Sequence, residues 1–588
     1  MRPSTTVLGM LDDRGKRGVP IHDLYRQLFN PDLYIRAYAR IYSNEGAMTP
    51  GSTPETVDAM SMKKIHQIID DLRHERYRWT PTRRTYILKK NGKKRPLGLP
   101  TWSDKLLQEV IRSLLEAYYE PQFSNASHGF RPGRGCHTAL SSIQYVWTGC
   151  HWFIEGDIQA CFDRLDHQVM LSILAQKIHD NRFLRLIKHL LQAGYLEQWR
   201  YHRTQSGTPQ GGVLSPLLAN IYLGQLDHYV ETNLCSLYTR GTVRRHNPVY
   251  ARLKAQAKRE RERGQYQQAK ATKRLMQQHP AGDPNDPTYR RLTYVRYADD
   301  ILFGFSGPKS EAEQIKALLG TYLRDTLKLE LSQEKTLITH ASTQAARFLG
   351  YEITAYHCDH QLAKDKRRRT NARIGLRIPP DVVEKKRALY KQGGKPVRRM
   401  TLASQDDYTI MNRYQVEYRG LVQYYQLAGN VGWLDALRWD MQQSLLHTLA
   451  AKHQTRISVL LHRYQTTVAT PYGKRRCLQV TVEREKEKKP LIARFGGLPL
   501  KRNKQAILVD ATPTFYQAER KEITQRLRAN RCELCHLLGA CEVHHIRRMA
   551  DLDTYAEGHM PRWAYIMKKK RRKTLVVCQA CHQAIHDG

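Results

Sequence analysis

The stretch YVRYADDILFGF, Tyr294 to Phe305, places two adjacent aspartates inside a run of apolar, aromatic and β-branched residues. Such runs favour strands, so the sequence predicts a β-hairpin that carries Asp299 and Asp300 at or beside its tight turn. Burying two neighbouring carboxylates costs on the order of several kcal/mol unless a cation, hydrogen bonds or water compensate. An exposed turn is the simpler explanation for an Asp-Asp pair, but the apolar flanks on both sides argue against it.

A second run, WFIEGDI from Trp152 to Ile158, predicts a buried strand with another acid, Asp157, at its end. A helix is predicted directly after it, from Cys161 to Leu174. If the two strands are neighbours, three carboxylates converge on one point. Two hard divalent cations held by shared Asp oxygens are what an in-line phosphoryl transfer requires. The order of residues in the chain does not by itself bring Asp157 close, so its position is the critical structural expectation.

The charge of the chain points to a polyanionic partner. Among 588 residues, 96 Lys and Arg stand against 55 Asp and Glu, which gives a formal charge of +41. The pI near 9.9 is far from what solubility requires, so nucleic acid is the obvious partner. An anionic membrane surface is the rival, but the sequence has no apolar run of ~18 residues and no apolar signal segment at its start. We expect a soluble, non-secreted protein of about three to five domains.

Two segments concentrate the basic charge. Residues 244–274 hold eleven Lys and Arg against two Glu, and they predict an exposed basic helix or insertion. Residues 364–399 hold fourteen Lys and Arg against three acids, with Gly393-Gly394 and several prolines, and they predict a linker or phosphate-contacting surface rather than core. A solvated charged face would also explain the first segment, but its net charge favours contact with nucleic acid.

Apolar periodicity outlines the rest of the chain. Helical spacing covers residues 21–76, 104–119 and 413–464, and a hairpin is predicted from Tyr86 to Pro100 with its turn at Asn91-Gly92. One stripe of the last helical region has the pattern of ordinary core: Leu434, Leu437, Met441 and Leu445.

Cysteines crowd the end of the chain, where five of the eleven fall within the last 57 residues. Cys532 with Cys535, and Cys578 with Cys581, have the spacing of a four-thiolate zinc site. A disulfide framework is not expected in a large chain without a signal peptide, and unligated core cysteines are the remaining alternative. Cys541 is left over and is predicted to be packed.

Four of the histidines in this cysteine-rich tail form a pattern, two between the cysteine pairs and two after the second pair. Two of them are adjacent in EVHHI, residues 542–546, and two more, His582 and His586, stand four apart and so share one helical face. A buried or surface position would explain any one of them alone.

Several of these motifs, in their order along the chain, resemble those of a known family. YADD in the hairpin, with EGDIQACFD upstream, resembles the palm motifs of reverse transcriptases, and the whole arrangement is similar to that of group II intron-encoded reverse transcriptases and maturases. The helical stretch from Tyr418 to His453 is similar to domain X, the thumb and maturase region of that family. Further blocks agree in order: KKRPLGLP (93–100), HGFRPGRG (128–135), GTPQGGVLSPLLANIYLGQLD (207–227), LELSQEKT (329–336) and ARFLGYEI (346–353).

This resemblance implies a polymerase site. Asp157, Asp299 and Asp300 would hold two Mg²⁺ ions, which would explain why the hairpin keeps paired acids. Phe162 corresponds to the steric gate, whose ring excludes a ribose 2′-OH and so favours dNTPs over rNTPs.

The resemblance also implies contacts with the incoming nucleotide. Lys89 and Arg95, on the two arms of the first hairpin, would bind the triphosphate, Arg as a fork and Lys as a point charge. Gln210 and Gly211 would contact the nucleotide and primer, where glycine permits close approach of the backbone. Lys335 would protonate the pyrophosphate leaving group. Without the resemblance, a solvated surface charge would explain each of these basic residues.

The tail resembles an HNH endonuclease, a ββα-metal nuclease. By this resemblance His545 would deprotonate the attacking water, a task suited to an imidazole near neutral pKa. One departure is that Lys573 or Thr574 stands where the HNH pattern usually has Asn. The implied ligands of the catalytic divalent cation, expected to be Mg²⁺, are His544, His582 and His586.

The expected fold class is therefore α+β and multidomain: right-hand polymerase fingers and palm, a helical thumb, a basic DNA-binding segment and a zinc-stabilised ββα-metal nuclease. We expect these boundaries: an N-terminal extension at 1–80, fingers and palm at 81–360 with a basic insertion at 240–290, thumb or domain X at 361–455, a DNA-binding region at 456–525, and the HNH domain at 526–588.

The implied function is RNA-templated DNA synthesis, help with folding and splicing of the intron RNA, and second-strand DNA nicking for target-primed retrohoming. The partners would be group II intron RNA, target DNA and dNTPs, with no membrane, in the bacterial cytoplasm or nucleoid, an organelle being the open alternative. A pure RNA-binding splicing factor would lack the three acids, and a free-standing reverse transcriptase would normally lack the HNH tail. Intron RNA domains flanking the gene would separate these alternatives.

Overall fold

The structure, a computed structural model, describes residues 2–88, 92, 94–204, 206–207, 211–283, 285–357, 372–484, 490–508, 522–555 and 559–587. None of the helices in these ranges has the length and apolar character of a membrane span.

The N-terminal region is mostly helical and is packed into the molecule. Helix α3 starts with a cap, because the Asn30 side chain accepts the N–H of Asp32 and proline occupies the first turn. Most of α3 is buried, as is the short strand β1. The elements of this region are α1 (Ser4–Arg17), α2 (Leu24–Gln27), α3 (Pro31–Ile41), β1 (Met60–Ser61) and α4 (Met62–Arg73).

The structure confirms the predicted hairpin, which forms one side of a four-stranded sheet of order β3-β2-β5-β6. Its strands begin four residues before the predicted start, and most of its turn lies outside the described residues. The elements are β2 (Thr82–Leu88), β3 (Lys94–Leu99), α5 (Trp102–Tyr119), α6 (Cys136–Val146), α7 (Cys161–Arg164), α8 (His167–Ala175), α9 (Asn181–Gln192), β5 (Tyr195–Glu197) and β6 (Arg200–His202), with β4 (Trp152–Asp157) between α6 and α7.

The next region, called the palm below, contains a second four-stranded sheet of order β7-β8-β4-β9. The predicted strand WFIEGD is thus central in that sheet, between the YADD hairpin and β9. Its remaining elements are α10 (Ser215–Tyr229), α11 (Cys235–Leu237), α12 (Pro248–Glu262), α13 (Tyr266–Gln278), β7 (Arg291–Tyr297), β8 (Asp300–Ser306), α14 (Lys309–Asp325), β9 (Ile338–His340), β10 (Ala346–Phe348) and β11 (Tyr351–Ala355).

A helical region, residues 380–464, follows and is called the thumb below. After it come a three-stranded sheet and the small C-terminal fold. The helices predicted over 413–464 are confirmed, and their leucine stripe is buried. The elements are β12 (Ile374–Arg377), α15 (Pro380–Ala388), β13 (Lys391–Gln392), β14 (Lys395–Pro396), α16 (Asp407–Tyr424), α17 (Leu434–His453), α18 (Ile457–Tyr464), β15 (Gln465–Thr470), β16 (Gly473–Val482), β17 (Leu491–Gly496), α19 (Glu522–Arg528), β18 (Cys541–His545), α20 (Arg562–Lys570), β19 (Thr574–Cys578) and α21 (Gln579–Asp587).

The single helix predicted from Cys161 to Leu174 is wrong, because the structure divides it into α7 and α8. Leu165 and Asp166 between them have extended ψ values of 117° and 127°. The Asp166 side chain accepts the N–H of Val169 and so caps α8, an alternative to helix that aspartate commonly offers the backbone.

The basic segment 244–274 forms exposed helix, as predicted, although it contains two helices that pack against each other, α12 and α13. For residues 372–399 the prediction of a linker is wrong. There β12 pairs with β11, and Leu376 and Ile378 are fully buried. The basic residues mislead because Arg377 points outward from a strand whose apolar residues point inward. Residues 364–371 of that segment lie outside the described residues.

Two hydrophobic cores organise the molecule. One joins the N-terminal helices, the α5 side of the palm and the C-terminal fold, so that Met60 and Val543 belong to the same cluster. The other joins the opposite face of the palm sheet with the thumb and the three-stranded sheet, and includes Val295, Tyr414 and Phe495. The C-terminal fold is therefore packed against the N-terminal region.

Candidate functional sites

The palm sheet brings the predicted acids to one end. Strands β7 and β8 pair from Arg291 with Ser306 to Tyr297 with Asp300, which leaves Ala298 and Asp299 as the turn. On the other side of β8, β4 runs antiparallel, and its last residue, Asp157, lies directly opposite Asp300. The strand that carries Asp157 is thus the immediate neighbour of the hairpin, and the three carboxylates share one edge.

The electrostatics of this edge favour a bound cation. Burial, and then the charges of Asp299 and Asp157, raise the pKa of Asp300 to about 6. Burial and the charge of Asp157 also raise the pKa of Asp299, while Arg95 and Lys335 act in the opposite direction. Clustered oxygen ligands that resist ionisation in the absence of a cation are suited to Mg²⁺.

Lys335, for which the resemblance implies protonation of the pyrophosphate, lies beside the acids. Its Nζ donates to Asp157 Oδ2 at 2.9 Å, and this hydrogen bond raises the pKa of the lysine. The side chain is 66% exposed, so it is free to exchange this partner for a phosphate oxygen.

Binding of divalent cations at the three acids should depend on pH. The folded-state pKa of Asp300 is about 6, against 3.8 ordinarily, so this carboxyl is half protonated near pH 6 and the site is fully ionised only well above that value. Below that value protons compete, and we expect Mn²⁺ affinity to fall by about tenfold per pH unit. Without a cation, the same shift lowers folding stability as the pH rises from about 4 to 6, because the unfolded chain ionises first.

Mn²⁺ titration followed by electron paramagnetic resonance between pH 5 and 8 measures this effect. The chain should carry His582→Ala, so that the histidine cluster described below does not contribute to the signal. A Mn²⁺ affinity that stays constant from pH 8 to 5 would contradict the assignment of a shifted carboxyl to this site.

A buried ion pair that the sequence analysis missed holds the turn of the hairpin. Arg296 is completely buried and forms two hydrogen bonds with Asp227, from Nε at 2.8 Å and from a terminal nitrogen at 2.6 Å. It also donates to the carbonyl oxygen of Ala298 at 2.9 Å, within the turn itself. Ala298 has a left-handed φ of 57°, so this bond helps to fix a strained turn beside Asp299.

The glycine of HGFRPGRG packs against the same turn. A Cβ on Gly129 would lie 2.5 Å from the backbone nitrogen of Ala298, closer than any side chain allows. The Gly129 carbonyl accepts a hydrogen bond from Asn220 on α10. Glycine is therefore required there because the loop touches the backbone of the turn that carries Asp299.

The nucleotide-contact residues are only partly described. Phe162, on α7, is half-buried with its ring edge-on to Phe130, 6.2 Å between centroids. Gly211 has a φ of 102°, and a Cβ there would lie 2.7 Å from the carbonyl oxygen of Gly98 on β3. Arg95 lies on β3, near enough for its charge to act on Asp299. The positions of Lys89 and Gln210 fall outside the described residues.

The four predicted zinc cysteines come together. The sulfur atoms of Cys532, Cys535, Cys578 and Cys581 all lie within 4.8 Å of one another. Although burial opposes ionisation, backbone N–H groups of Cys535, Cys578 and Leu534 lower the pKa of Cys532 to about 6. Four convergent thiols, one already favouring the thiolate, form a donor set suited to a structural metal ion. Cys541 is buried in β18, as predicted.

The three histidines predicted to bind the nuclease metal also converge. His544 comes from β18, while His582 and His586 come from one face of α21, and their nitrogens lie within 4.8 Å of one another and of a carboxylate, Asp58. His544 is buried, and in the described part of the chain neither of its ring nitrogens has a hydrogen-bond partner. His582 Nδ1 bonds to Glu542 at 3.0 Å, which leaves Nε2 facing the cluster.

Buried, unpartnered imidazole nitrogens cost free energy unless something binds them, so the cluster fits a divalent cation. Asp58 was not predicted from the sequence. Its carboxylate contacts His582 and the backbone N–H of His545. Although burial opposes it, contacts with His582 and the N–H of His545 lower the pKa of this carboxyl to about 2.

His545 lies outside that cluster. Its ring is 6.1 to 6.2 Å from the rings of Tyr38 and Tyr42, and its Nε2 is 2.9 Å from the Tyr38 hydroxyl. Burial lowers the pKa of His545 to about 3. At the place of the usual HNH asparagine, Thr574 pairs with His545 across the two strands and is bonded by Arg526, while Lys573 bonds to the carbonyl of Arg547.

A basic cleft of about 560 Å³ lies between the thumb and the three-stranded sheet. Lys474, Arg475 and Arg476 line it from β16, and two exposed aromatic side chains, Trp439 and Tyr472, stand beside them. Cationic side chains interleaved with exposed rings are typical of surfaces that hold single-stranded nucleic acid.

Three parts of the chain match known families. Residues 87–243 and 265–353 match the family described as "Reverse transcriptase (RNA-dependent DNA polymerase)". The break between the two ranges falls in the basic helical insertion. Residues 381–479 match "Type II intron maturase", and residues 532–582 match "AI2M/AI1M-like, HNH endonuclease".

Similar proteins agree with these matches along the whole chain. The group II intron-encoded protein LtrA of Lactococcus lactis subsp. cremoris is 37% identical, over 100% of this chain and 99% of LtrA. A 91 kDa protein in the cob intron of Schizosaccharomyces pombe is 34% identical, over 99% of this chain and 73% of that protein. Protein YkfC of Escherichia coli is 30% identical, over 61% of this chain and 88% of its own. The chain therefore belongs to the group II intron-encoded proteins, and it is a reverse transcriptase and maturase that carries an HNH endonuclease domain.

Proposed function

We propose that this protein copies its intron RNA into DNA at a site that its own nuclease has opened. The maturase region binds the intron RNA and assists its folding and splicing, and the resulting ribonucleoprotein inserts the RNA into one strand of a DNA target. The HNH domain nicks the opposite strand, and the free 3′-OH primes DNA synthesis. This cycle takes place in the bacterial cytoplasm or nucleoid.

The observation that carries this proposal is the register of β4 and β8, which sets Asp157 opposite Asp300. We assign Asp157, Asp299 and Asp300 as ligands of two Mg²⁺ ions. When bound, these ions supply stabilisation of the attacking 3′-oxygen and of the leaving pyrophosphate oxygen. The carboxylates position the reacting groups, and the ion pair of Arg296 with Asp227 keeps the turn fixed during the reaction.

The remaining polymerase residues orient the nucleotide. We assign the triphosphate to Arg95 and Lys89, the nucleotide base and primer backbone to Gln210 and Gly211, and the 2′ position of the sugar to the Phe162 ring. The half-buried position of Phe162 on α7, five residues after Asp157, supports the steric-gate role.

Lys335 is assigned as the proton donor to pyrophosphate. An exposed ammonium group that already touches Asp157 can transfer a proton to a phosphate oxygen without rearrangement of the backbone.

In the C-terminal region we assign Zn²⁺ to Cys532, Cys535, Cys578 and Cys581 as a structural ion. His544, His582 and His586 hold the nuclease cation, for which we propose Mg²⁺. When bound, this cation supplies charge stabilisation at the scissile phosphate. His545 is retained as the general base, and we infer that DNA binding must release its ring from Tyr38, to which it is now bonded.

The nucleic acids are assigned to the basic surfaces. Residues 1–80 form the N-terminal extension, 81–360 the fingers and palm, 361–455 the thumb, 456–525 the DNA-binding region and 526–588 the nuclease. The basic insertion at 240–290 and the cleft lined by Lys474–Arg476 are the surfaces we expect to contact RNA and DNA phosphates.

Covalent linkage of the product tests this cycle. Ribonucleoprotein is incubated with dNTPs and a target duplex labelled at the 5′ end of the strand that the nuclease cuts. We expect the label to move from the nicked fragment into longer DNA, because the 3′-OH of that fragment is the primer. A duplex of the same length without the target site is the matched control. Synthesis of cDNA that is not joined to the labelled strand would contradict the proposal.

A further inference from the structure

A strand of the N-terminal region completes the nuclease sheet. Strand β1 pairs antiparallel with β18, Met60 with Val543 and Ser61 with Glu542, which gives the sheet order β1-β18-β19. The N–H of Ala59 donates to the carbonyl of Val543 at 3.1 Å. Asp58, the residue just before, is thereby held at the end of β18 that carries the two adjacent histidines.

The carboxylate of Asp58 touches every member of the histidine cluster. Its Oδ2 lies 2.9 Å from Nε2 of His586, and its Oδ1 lies 3.4 Å from Nε2 of His582 and 3.5 Å from Nδ1 of His544. Oδ1 also accepts the backbone N–H of His545 at 2.7 Å. Only 17% of this side chain is exposed.

The position of Asp58 is set by the core rather than by a flexible arm. Its neighbours Val57 and Met60 are fully buried, and Met60 Sδ accepts from the Trp102 ring nitrogen at 3.4 Å. Ala59 has a left-handed φ of 59°, a conformation that an alanine adopts only under constraint. Backbone strain of this kind commonly marks a functional site, here next to the carboxylate.

We propose that Asp58 is a fourth ligand of the nuclease cation, contributed by the N-terminal region of the polymerase. This rests on the proposed nuclease site. An ion pair between Asp58 and a charged histidine would explain some of the contacts, but in the described part of the chain it leaves buried His544 without a hydrogen bond at either ring nitrogen, Nδ1 being only within 3.5 Å of the carboxylate. A cation at the centre satisfies His544 and Asp58 together, and the carboxylate offsets part of its charge.

The nuclease is therefore a composite centre. Separated from residues 1–61, the C-terminal fold would lose one strand of its sheet and one ligand of its metal. This arrangement makes cation binding at the nuclease dependent on a correctly folded polymerase, and it couples the two activities through a shared strand.

Mn²⁺ affinity tests the proposal in the full-length chain. Every chain in this titration carries Asp299→Ala and Asp300→Ala, so that these two polymerase acids do not contribute to the signal. The reference chain has no further substitution. We expect Asp58→Asn, which keeps the acceptor for the His545 N–H, to weaken Mn²⁺ binding by about 10- to 100-fold. Asp70→Asn, at an exposed acid on α4, is the matched control and should leave the affinity unchanged.

A second variant separates this inference from the nuclease assignment. If His582→Ala weakens Mn²⁺ binding and Asp58→Asn does not, Asp58 is not a ligand and only this inference is overturned. If neither variant changes the affinity, the histidine cluster holds no cation and the nuclease site is overturned with it.

Anomalous diffraction from the unsubstituted chain tests whether Asp58 is a ligand even if Asp58→Asn fails to fold. In crystals of the wild-type chain soaked in Mn²⁺, an anomalous peak within about 2.4 Å of an Asp58 oxygen would support the proposal. A peak bound by the histidines alone, with that carboxylate out of reach, would overturn it.

Discussion

Replacement of Asp299 by alanine is expected to reduce RNA-templated DNA synthesis by at least about 10³-fold, because it removes a ligand of the cations that stabilise the reacting oxygens, a contribution of several kcal/mol. Primer extension on an RNA template with dNTPs and Mg²⁺ measures the loss. Burial and the charge of Asp299 raise the pKa of Asp300, so the ionisation of each acid depends on the other.

Binding of RNA should persist in this variant, because neither basic surface proposed to contact phosphates, the insertion at 240–290 or the cleft lined by Lys474–Arg476, includes the turn. Asp325→Ala is the matched control, since this acid at the end of α14 is exposed and pairs with the neighbouring Arg324. Undiminished synthesis by Asp299→Ala would refute the assignment of the polymerase site.

Replacement of His545 by alanine is expected to reduce second-strand nicking by about 10²- to 10⁴-fold, the usual contribution of a general base. Polymerisation should continue, because His545 contacts no residue of the palm sheet. A supercoiled plasmid carrying the target site reports nicking, and primer extension on the same preparation reports polymerisation.

Tyr38→Phe is the informative companion to this variant. It removes the hydroxyl that bonds to His545 Nε2 but keeps the ring that packs against it. If the hydrogen bond holds the base away from its substrate water, nicking by Tyr38→Phe should equal or exceed that of wild type. Unchanged nicking by His545→Ala would show that this histidine serves packing alone.

Local sequence was sufficient for the parts of the fold that depend on near neighbours. Apolar, β-branched flanks predicted the YADD hairpin, and paired cysteine spacing predicted the four-thiol cluster. Helical spacing placed His582 and His586 on one face of α21, where they are found. The linker prediction for residues 372–399 failed because the basic charge was given more weight than the apolar residues Ile374, Leu376 and Ile378, which are buried.

Contacts between distant parts of the chain could not be predicted in this way. Asp58 and His545 are 487 residues apart, and no local pattern links a carboxylate before a two-residue strand to a nuclease. Arg296 and Asp227 are also far apart, by 69 residues, although an arginine between Val295 and Tyr297 in a strand predicted to be buried was a signal that a buried partner exists. His545 could not be placed either, since its tyrosine partners belong to the N-terminal region.

The most direct test of the central claim is a crystal structure of the protein with Mn²⁺, a template-primer and an unreactive dNTP analogue, with anomalous diffraction recorded at the palm. The account predicts two peaks about 3.5–4 Å apart, with oxygens of Asp157 and of the YADD acids within about 2.4 Å. A map in which Asp157 touches neither ion, or in which no ion lies between β4 and the hairpin, would contradict it.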